Sequence, residues 1–412
     1  MDPPPPYTVA VGYDGSHTQA NKELEIIIRD SQRNGEGVSA HVVYRVCTTA
    51  SKHGYPASSD VQRRFSHFSW LAQKLAASFK GCIIPALPEK SAVQKFQMSA
   101  EFISHRQRAL QVFLNKVATH PVLRDSSELR QFLTANDQEW MLEMARWQAE
   151  SSAAKPPAVS GALQWLKSLQ HSAQNMVSGR SDDALEDAEY VKVRDYVTAL
   201  EGHLAEAHKQ AARLVRKEGE LGAALAEFGL AAEQLGKFDD GPVRAAFDVL
   251  CSRAGVIANA SRARAEALAT SFEAPLKEAG RTVRSVNAAM GDRAAALSAL
   301  CQARGDLDAR KVKLAKLRAT PGVKGEACDD AEREVRECEG RVAAARVTYD
   351  TIVARMTEEL HRFQKERAAD LAALLRGFAL AQAQASAEAA KAWAEMLSEM
   401  TAQAGSAGHV TV

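Results

Sequence analysis

Apolar and polar positions change their spacing twice along the first hundred residues. LEIIIRD (24–30) and VSAHVVYRVCT (38–48) carry β-branched and apolar residues with a period of two, separated by the turn-rich SQRNGEG (31–37). Neighbouring side chains on a strand point to opposite faces, so this pattern predicts an antiparallel hairpin. After the loop SKHGYPASSD (51–60), VQRRF (61–65) predicts a third, short strand. From Ser66 the period lengthens: Phe68, Leu71, Leu75 and Phe79 recur every three or four residues, which predicts a helix. Residues 80–96 contain Pro85 and Pro88. Proline neither donates to a ladder nor continues a helix, so this stretch is expected to be extended. Phe102, Leu110, Phe113, Leu114 and Val117 restore the helical period over 99–123, and SSELRQFLTA (126–135) opens a short helix with a serine cap. Residues 1–136 therefore predict an α+β domain, a three-stranded antiparallel sheet with a helical subdomain.

Residues 137–161 read as a linker that ends in ESSAAKPPAVSG. ALQWLKSLQHSAQNMVSG (162–179) then places Ala162, Trp165, Leu166, Leu169, Ala173, Met176 and Val177 on one arc of a helix. The opposite arc is polar, with one lysine and no acid. Such a helix suits a membrane interface, and it equally suits packing on a neighbouring domain. Residues 182–405 predict three long helices. The first carries a heptad seam through Val193, Val197, Leu200, Leu204, Ala207, Ala211, Leu214, Leu221, Leu225, Phe228, Ala232 and Leu235, broken at Glu218. Pro275 is expected to disturb the second helix, and RATPGVKGE (318–326) turns the chain into the third. No compact monomer core encloses rods of this length, so they predict an all-α, dimeric coiled-coil bundle.

Composition adds one refinement. The 412 residues carry 52 Lys and Arg against 51 Asp and Glu, a balance that names no partner. Residues 1–136, however, hold 16 basic and 11 acidic residues, which hints at an anionic partner for the front third. The six cysteines are scattered without a CxxC pair, and no histidine falls at zinc-ligand spacing, so reduced thiols and no metal or cofactor are expected. A signal peptide and a membrane span are both missing from the pattern, which predicts a cytosolic chain with peripheral membrane contact at most. No nucleophile elbow, P-loop, HExxH or GxGxxG occurs, which argues against an enzyme.

Binding residues are better marked. Arg64 and Phe65 stand where strand gives way to helix and strict alternation relaxes, so both can reach one pocket. Arg63 falls on the other face and belongs to the sheet. A guanidinium grips a phosphate with two parallel donors, and an aromatic ring packs against a flat sugar or inositol ring. Lys90 follows the proline stretch, and Arg106 lies near the start of the next long helix.

RRFSHFSWLAQKL, GCIIPALPEKSAVQKFQMSAEF and RQRALQVFLNKVATHP resemble the phosphoinositide-binding PX domain of sorting nexins. The long helices, with stretches such as HLAEAHKQAARLVRKEGELGAALAEFG, are similar to a BAR domain. Together these identify the chain as similar to the retromer-linked SNX-BAR subfamily. The resemblance implies that Arg64 grips a 3-phosphate, Phe65 lies under the inositol ring, Lys90 meets the 1-phosphate and Arg106 meets the 4- and 5-hydroxyls. That set implies binding of phosphatidylinositol 3-phosphate. One departure stands out: His67 occupies a position where the family commonly has aspartate. The BAR likeness implies a membrane-facing tip at ARKVKLAKLRATPGVKGE (309–326), with Lys311, Lys313, Lys316, Arg318 and Lys324 as contacts beside Trp165, Leu166, Leu169 and Met176 of the amphipathic helix. It also implies a homodimer or a heterodimer with another SNX-BAR protein, the retromer core complex as partner, no nucleic acid, and a place on the cytosolic face of early or late endosomes. The competing reading is a coiled-coil scaffold whose front domain binds protein rather than lipid.

Overall fold

A computed structural model describes residues 24–35, 41–51, 54–88, 99–153, 187–320 and 325–407. The described chain divides into two compact units, residues 1–197 with 284–361, and residues 198–283 with 362–412.

In the first unit, β1 (Leu24–Asn34), β2 (His41–Ala50) and β3 (Ser58–Arg64) form an antiparallel sheet in the order β1-β2-β3. The register sets Ile28 opposite Val46, Val46 opposite Val61 and Tyr44 opposite Arg63. Ile26, Ile28, Tyr44, Val46 and Val61 are consequently on the buried face. Four helices cover that face: α1 (Phe65–Ser78), α2 (Ala100–Thr119), α3 (Ser127–Thr134) and α4 (Asp137–Ala153). Phe68, Leu71, Leu75, Leu110, Phe113, Leu114, Val117, Leu129 and Phe132 form the core with the sheet. The expected serine cap forms at α3, where Ser126 accepts from the Leu129 amide at 3.2 Å, and Ser99 caps α2 in the same way, accepting from the Phe102 amide at 3.2 Å. The edge of β1 is closed by side chains of α2. Gln111 accepts from the Ile28 amide at 2.6 Å and donates to the Ile26 carbonyl, while Gln107 donates to the Ile28 carbonyl at 2.9 Å. Those glutamines satisfy backbone groups on the outer edge of β1.

The expected linker over 137–161 is corrected over residues 137–153. Asp137–Ala153 is helical, and Trp140 and Met144 belong to the front-domain core. Asn136 caps it by accepting from the Gln138 and Glu139 amides, both at 3.0 Å, and Glu139 accepts from the Asn136 amide at 3.3 Å. This reciprocal box stands in the sequence as Asn136-x-x-Glu139. The remainder of the linker and the 162–179 helix lie outside the described residues.

The front domain is seated on two long helices of the same unit. Lys80 pairs with Asp292 at 2.9 Å, the Gly81 amide donates to Asp292 at 3.2 Å, and Arg355 donates to the Lys80 carbonyl at 2.7 Å. Gly81 has φ +84, and a Cβ there would lie 3.1 Å from the Ile352 carbonyl, so this close seat requires glycine.

The long helices are α5 (Ala188–Gly236), α6 (Pro242–Leu268), α7 (Ala274–Ala319) and α8 (Gly325–Ala407). A π-turn, Ala269–Glu273, joins α6 to α7 just before Pro275. Proline lacks the amide that would close the regular ladder at that point, and the wider turn absorbs the gap. Within the second unit the seam of α5 departs from the expected one. Gly222, Gly229 and Gly236 face α6, where a Cβ would meet the Ala258 carbonyl at 2.9 Å, Ala254 at 3.1 Å and Phe247 at 2.7 Å. Glu218 lies in the same buried stripe, paired with Arg264, so it continues the seam instead of breaking it. The bulky heptad residues Leu221, Phe228 and Leu235 are left exposed in the chain, at 47%, 55% and 56%. Phe378 stacks on Phe272 at 4.3 Å within the same unit.

Candidate functional site

The adjacent arginines part company at the end of β3. Arg63 points inward and is fully buried. It donates to the carbonyls of Phe132 at 2.9 Å, Ala135 at 2.7 Å and Gln62 at 3.0 Å, and its guanidinium lies 4.2 Å from the centre of the Trp140 ring. Burial lowers its pKa to about 10, so it remains a cation at neutral pH. It is a structural cation whose donors close the C-terminal turn of α3.

Arg64 points outward and is only partly covered. As the residue before α1 it has extended backbone, φ −97 and ψ 164. Its amide faces Nδ1 of His67 at 3.3 Å and its Nε–H faces Nε2 of the same ring at 3.1 Å. Phe65 opens α1. The guanidinium of Arg106, from α2, lies 4.8 Å from the Phe65 ring centre and 4.3 Å from that of Phe102. Burial lowers the pKa of Arg106, and the neighbouring Tyr44 opposes that shift. Tyr44 itself is raised to about 12 by burial. The fold therefore brings Arg106 onto the ring of Phe65, while the side chain of its neighbour Arg64 turns to His67.

Arg45, also on the outer face of the sheet, is spent differently. It lies in a cleft of about 470 Å³ between Asp60 at 2.5 Å and Asp30 at 3.4 Å. The Asp60 hydrogen bond raises its pKa, and the two carboxylates answer its charge.

Lys90, Trp165, Leu166, Leu169, Met176 and Lys324 lie outside the described residues. The tip cations are exposed on α7, and α8 supplies carboxylates to three of them: Lys311–Glu339 at 3.2 Å, Lys313–Glu334 at 3.1 Å and Arg318–Glu332 at 2.7 Å. Lys316 has no ion pair among the described residues. Exposed pairs of this kind are weak and salt-screened, and an anionic surface can displace the carboxylates.

The sequence pattern did not reveal the buried junction beneath the front domain. Glu359 of α8 accepts from the Ile83 amide at 2.9 Å and from His120 at 3.1 Å. His120 Nδ1 accepts from the amides of Val122 at 3.1 Å and Leu123 at 3.2 Å, so the ring proton sits on Nε2 and points at Glu359. Cys82 lies within 4.8 Å of both partners. With its lone pair turned to the backbone, the imidazole serves here as a hydrogen-bonded bridge. The three residues are far apart in sequence and none sits in a spacing that would have marked them.

A PX domain model matches residues 53–136, and a model described as Vps5 C terminal like matches residues 164–399, more than half of the chain. Sorting nexin 1 of Arabidopsis thaliana is 34% identical over 381 residues, 92% of this chain and 93% of the relative. The chain belongs to the sorting nexin family. It is similar to vacuolar protein sorting-associated protein vps5 of Schizosaccharomyces pombe, 32% identical over 219 residues, 52% of this chain and 37% of that one. Among solved structures, the SNX-BAR Mvp1 tetramer superposes with a TM-score of 0.57 at 17% identity, covering 90% of this chain and 99% of that chain, which shows the shared fold. A sorting nexin with PX and BAR regions is a membrane-binding, curvature-sensing adaptor of endosomal sorting and not an enzyme. No described helix is long and apolar enough to cross a membrane.

Proposed function

We propose that this sorting nexin binds phosphatidylinositol 3-phosphate at the rim formed by Arg64, Phe65 and Arg106, with Lys90 closing the pocket. The observation that carries the reading is the division of labour between Arg63 and Arg64. The first is consumed by buried carbonyls, and the second projects outward beside an aromatic ring faced by another arginine. Two cations around a ring suit a phosphorylated inositol better than a generic anion. The exposed heptad Leu221, Phe228 and Leu235 supports a dimer, because a second chain is what would remove that apolar stripe from water. A dimer doubles the lipid pockets, and linked sites strengthen binding by about 10²–10⁴ without new contacts. Trp165, Leu166, Leu169 and Met176, with Lys311, Lys313, Lys316, Arg318 and Lys324, supply further membrane contact in this reading. The family likeness supports assembly with the retromer core on the cytosolic face of early or late endosomes, as a homodimer or with another SNX-BAR protein. Flotation with vesicles containing phosphatidylinositol 3-phosphate tests the pocket. Arg64→Ala is expected to lose most binding, and wild-type flotation by that variant would dismiss the assignment.

A further inference from the structure

Phe102 keeps the apolar spacing of α2 but not the company of the other residues in that stripe. Leu110, Phe113, Leu114 and Val117 are buried in the front-domain core. Phe102 is only half-buried and stands outside that core. Its place is fixed all the same, because the Ser99 side chain accepts from the Phe102 amide at 3.2 Å and ties the residue to the first turn of α2. Arg106 follows one turn later, and residues four apart share a helix face. Its guanidinium lies 4.3 Å from the centre of the Phe102 ring and 4.8 Å from that of Phe65. Both distances are within the ~6 Å over which a guanidinium is drawn to the negative face of a ring. The backbone under Arg106 is anchored as well, since the next residue, Gln107, donates to the Ile28 carbonyl at 2.9 Å. A long side chain on an anchored turn is thus set against two rings, one from α1 and one from its own helix.

We propose that Phe102 is a positioning residue of the lipid pocket: its ring holds the Arg106 guanidinium in place before the ligand arrives. The inference rests on the lipid reading above and adds to it a residue that acts through Arg106 and not by touching the ligand. An arginine that is ordered only on binding loses rotamer freedom at that moment, whereas one already set against a ring has lost it on folding. A ring also orients the guanidinium without offering a carboxylate or carbonyl oxygen that competes with the ligand for its N–H groups. The ligand class is a phosphorylated inositol, whether on a lipid headgroup or free in solution.

The test uses the full chain, vesicles with and without phosphatidylinositol 3-phosphate, and soluble inositol 1,3-bisphosphate. Phe102→Leu keeps an apolar side chain and removes the ring, so affinity for the vesicles and for the soluble headgroup is expected to fall about fivefold in parallel. Phe102→Tyr restores a ring and is expected to bring both affinities back to within about twofold of wild type. Arg106→Lys keeps the charge but not the planar fork, and on that background Phe102→Leu is expected to cost less than about twofold. Thermal unfolding of each variant sets a temperature at which all of them are folded, and binding is compared there. The inference fails if Phe102→Leu binds like wild type, if Phe102→Tyr loses as much as Phe102→Leu, or if the loss is the same on the Arg106→Lys background. A loss confined to vesicles, with headgroup binding unchanged, makes Phe102 a membrane contact and also overturns it. Wild-type binding by Arg64→Ala is a different result, which removes the pocket itself and the inference with it.

Discussion

Replacing Arg63 and Arg64 one at a time separates stability from recognition across a single peptide bond. Arg63→Ala removes a fully buried side chain and its donors to the Phe132 and Ala135 carbonyls, at 2.9 and 2.7 Å. Each buried carbonyl left without a partner costs about 1–3 kcal/mol. The guanidinium's stacking on Trp140 is lost as well, and the vacated volume adds a cavity term. Relief of the buried charge offsets part of this, so the net loss is expected at about 3–5 kcal/mol. For a domain of this size that corresponds to a fall in melting temperature of roughly 10–20 °C. Arg64→Ala removes a partly exposed side chain with no buried carbonyl to orphan, and is expected to cost under about 1 kcal/mol. Tryptophan fluorescence follows both, since Trp70 and Trp140 pack edge to face in the core at 4.9 Å. Vesicle flotation on the same samples completes the crossing: Arg63→Ala, held below its melting point, still floats, and Arg64→Ala does not. A melting temperature for Arg63→Ala within about 3 °C of wild type would refute the accounting of buried donors.

Glu359→Leu leaves the Ile83 amide and His120 Nε2–H without an acceptor; a loss of about 2–5 kcal/mol at the junction is expected, read as faster hydrogen exchange at Ile83 than in wild type. His67 has a folded pKa of about 3 against 6.5 unfolded, so the unfolded chain binds the proton first as pH falls; front-domain stability is complete above pH 6.5 and declines below it by at most about 1.4 kcal/mol per pH unit, and His67→Gln flattens that acid limb in urea titrations. Phe228→Glu places a charge in the exposed heptad stripe and is expected to shift the chain to monomer in light scattering at micromolar concentration, with its helical circular dichroism kept; an unchanged mass would place the dimer seam elsewhere.

Much of the fold was legible because it depends on local periodicity. The strand spacing of 24–30 and 38–48, the switch to a helical period after Phe65 and the serine cap at 126 each describe short-range geometry and appear in the structure, although β1 runs on to Asn34 through residues expected to turn. The helix over Asp137–Ala153 stands where a linker was expected, although the Asn136-x-x-Glu139 box is in the sequence, because Trp140 and Met144 gain a buried side only once the front-domain core is assembled. The heptad of α5 was legible as a period but not as a partition. Period alone does not tell which of two neighbouring stripes, glycines 222, 229 and 236 or residues 221, 228 and 235, faces the same chain.

The sequence alone determined the order of the three strands and the helix that follows them, and the opposite faces taken by Arg63 and Arg64, since alternation on a strand and the start of a helix are set by neighbours in the chain. Only the tertiary structure decided what each charge meets. Arg63 finds the carbonyls of α3, Lys313 finds Glu334, and Glu359 finds His120 from 239 residues away. Those partners are fixed by packing between distant segments, and the strength of a charge depends on the partner and the burial that packing provides.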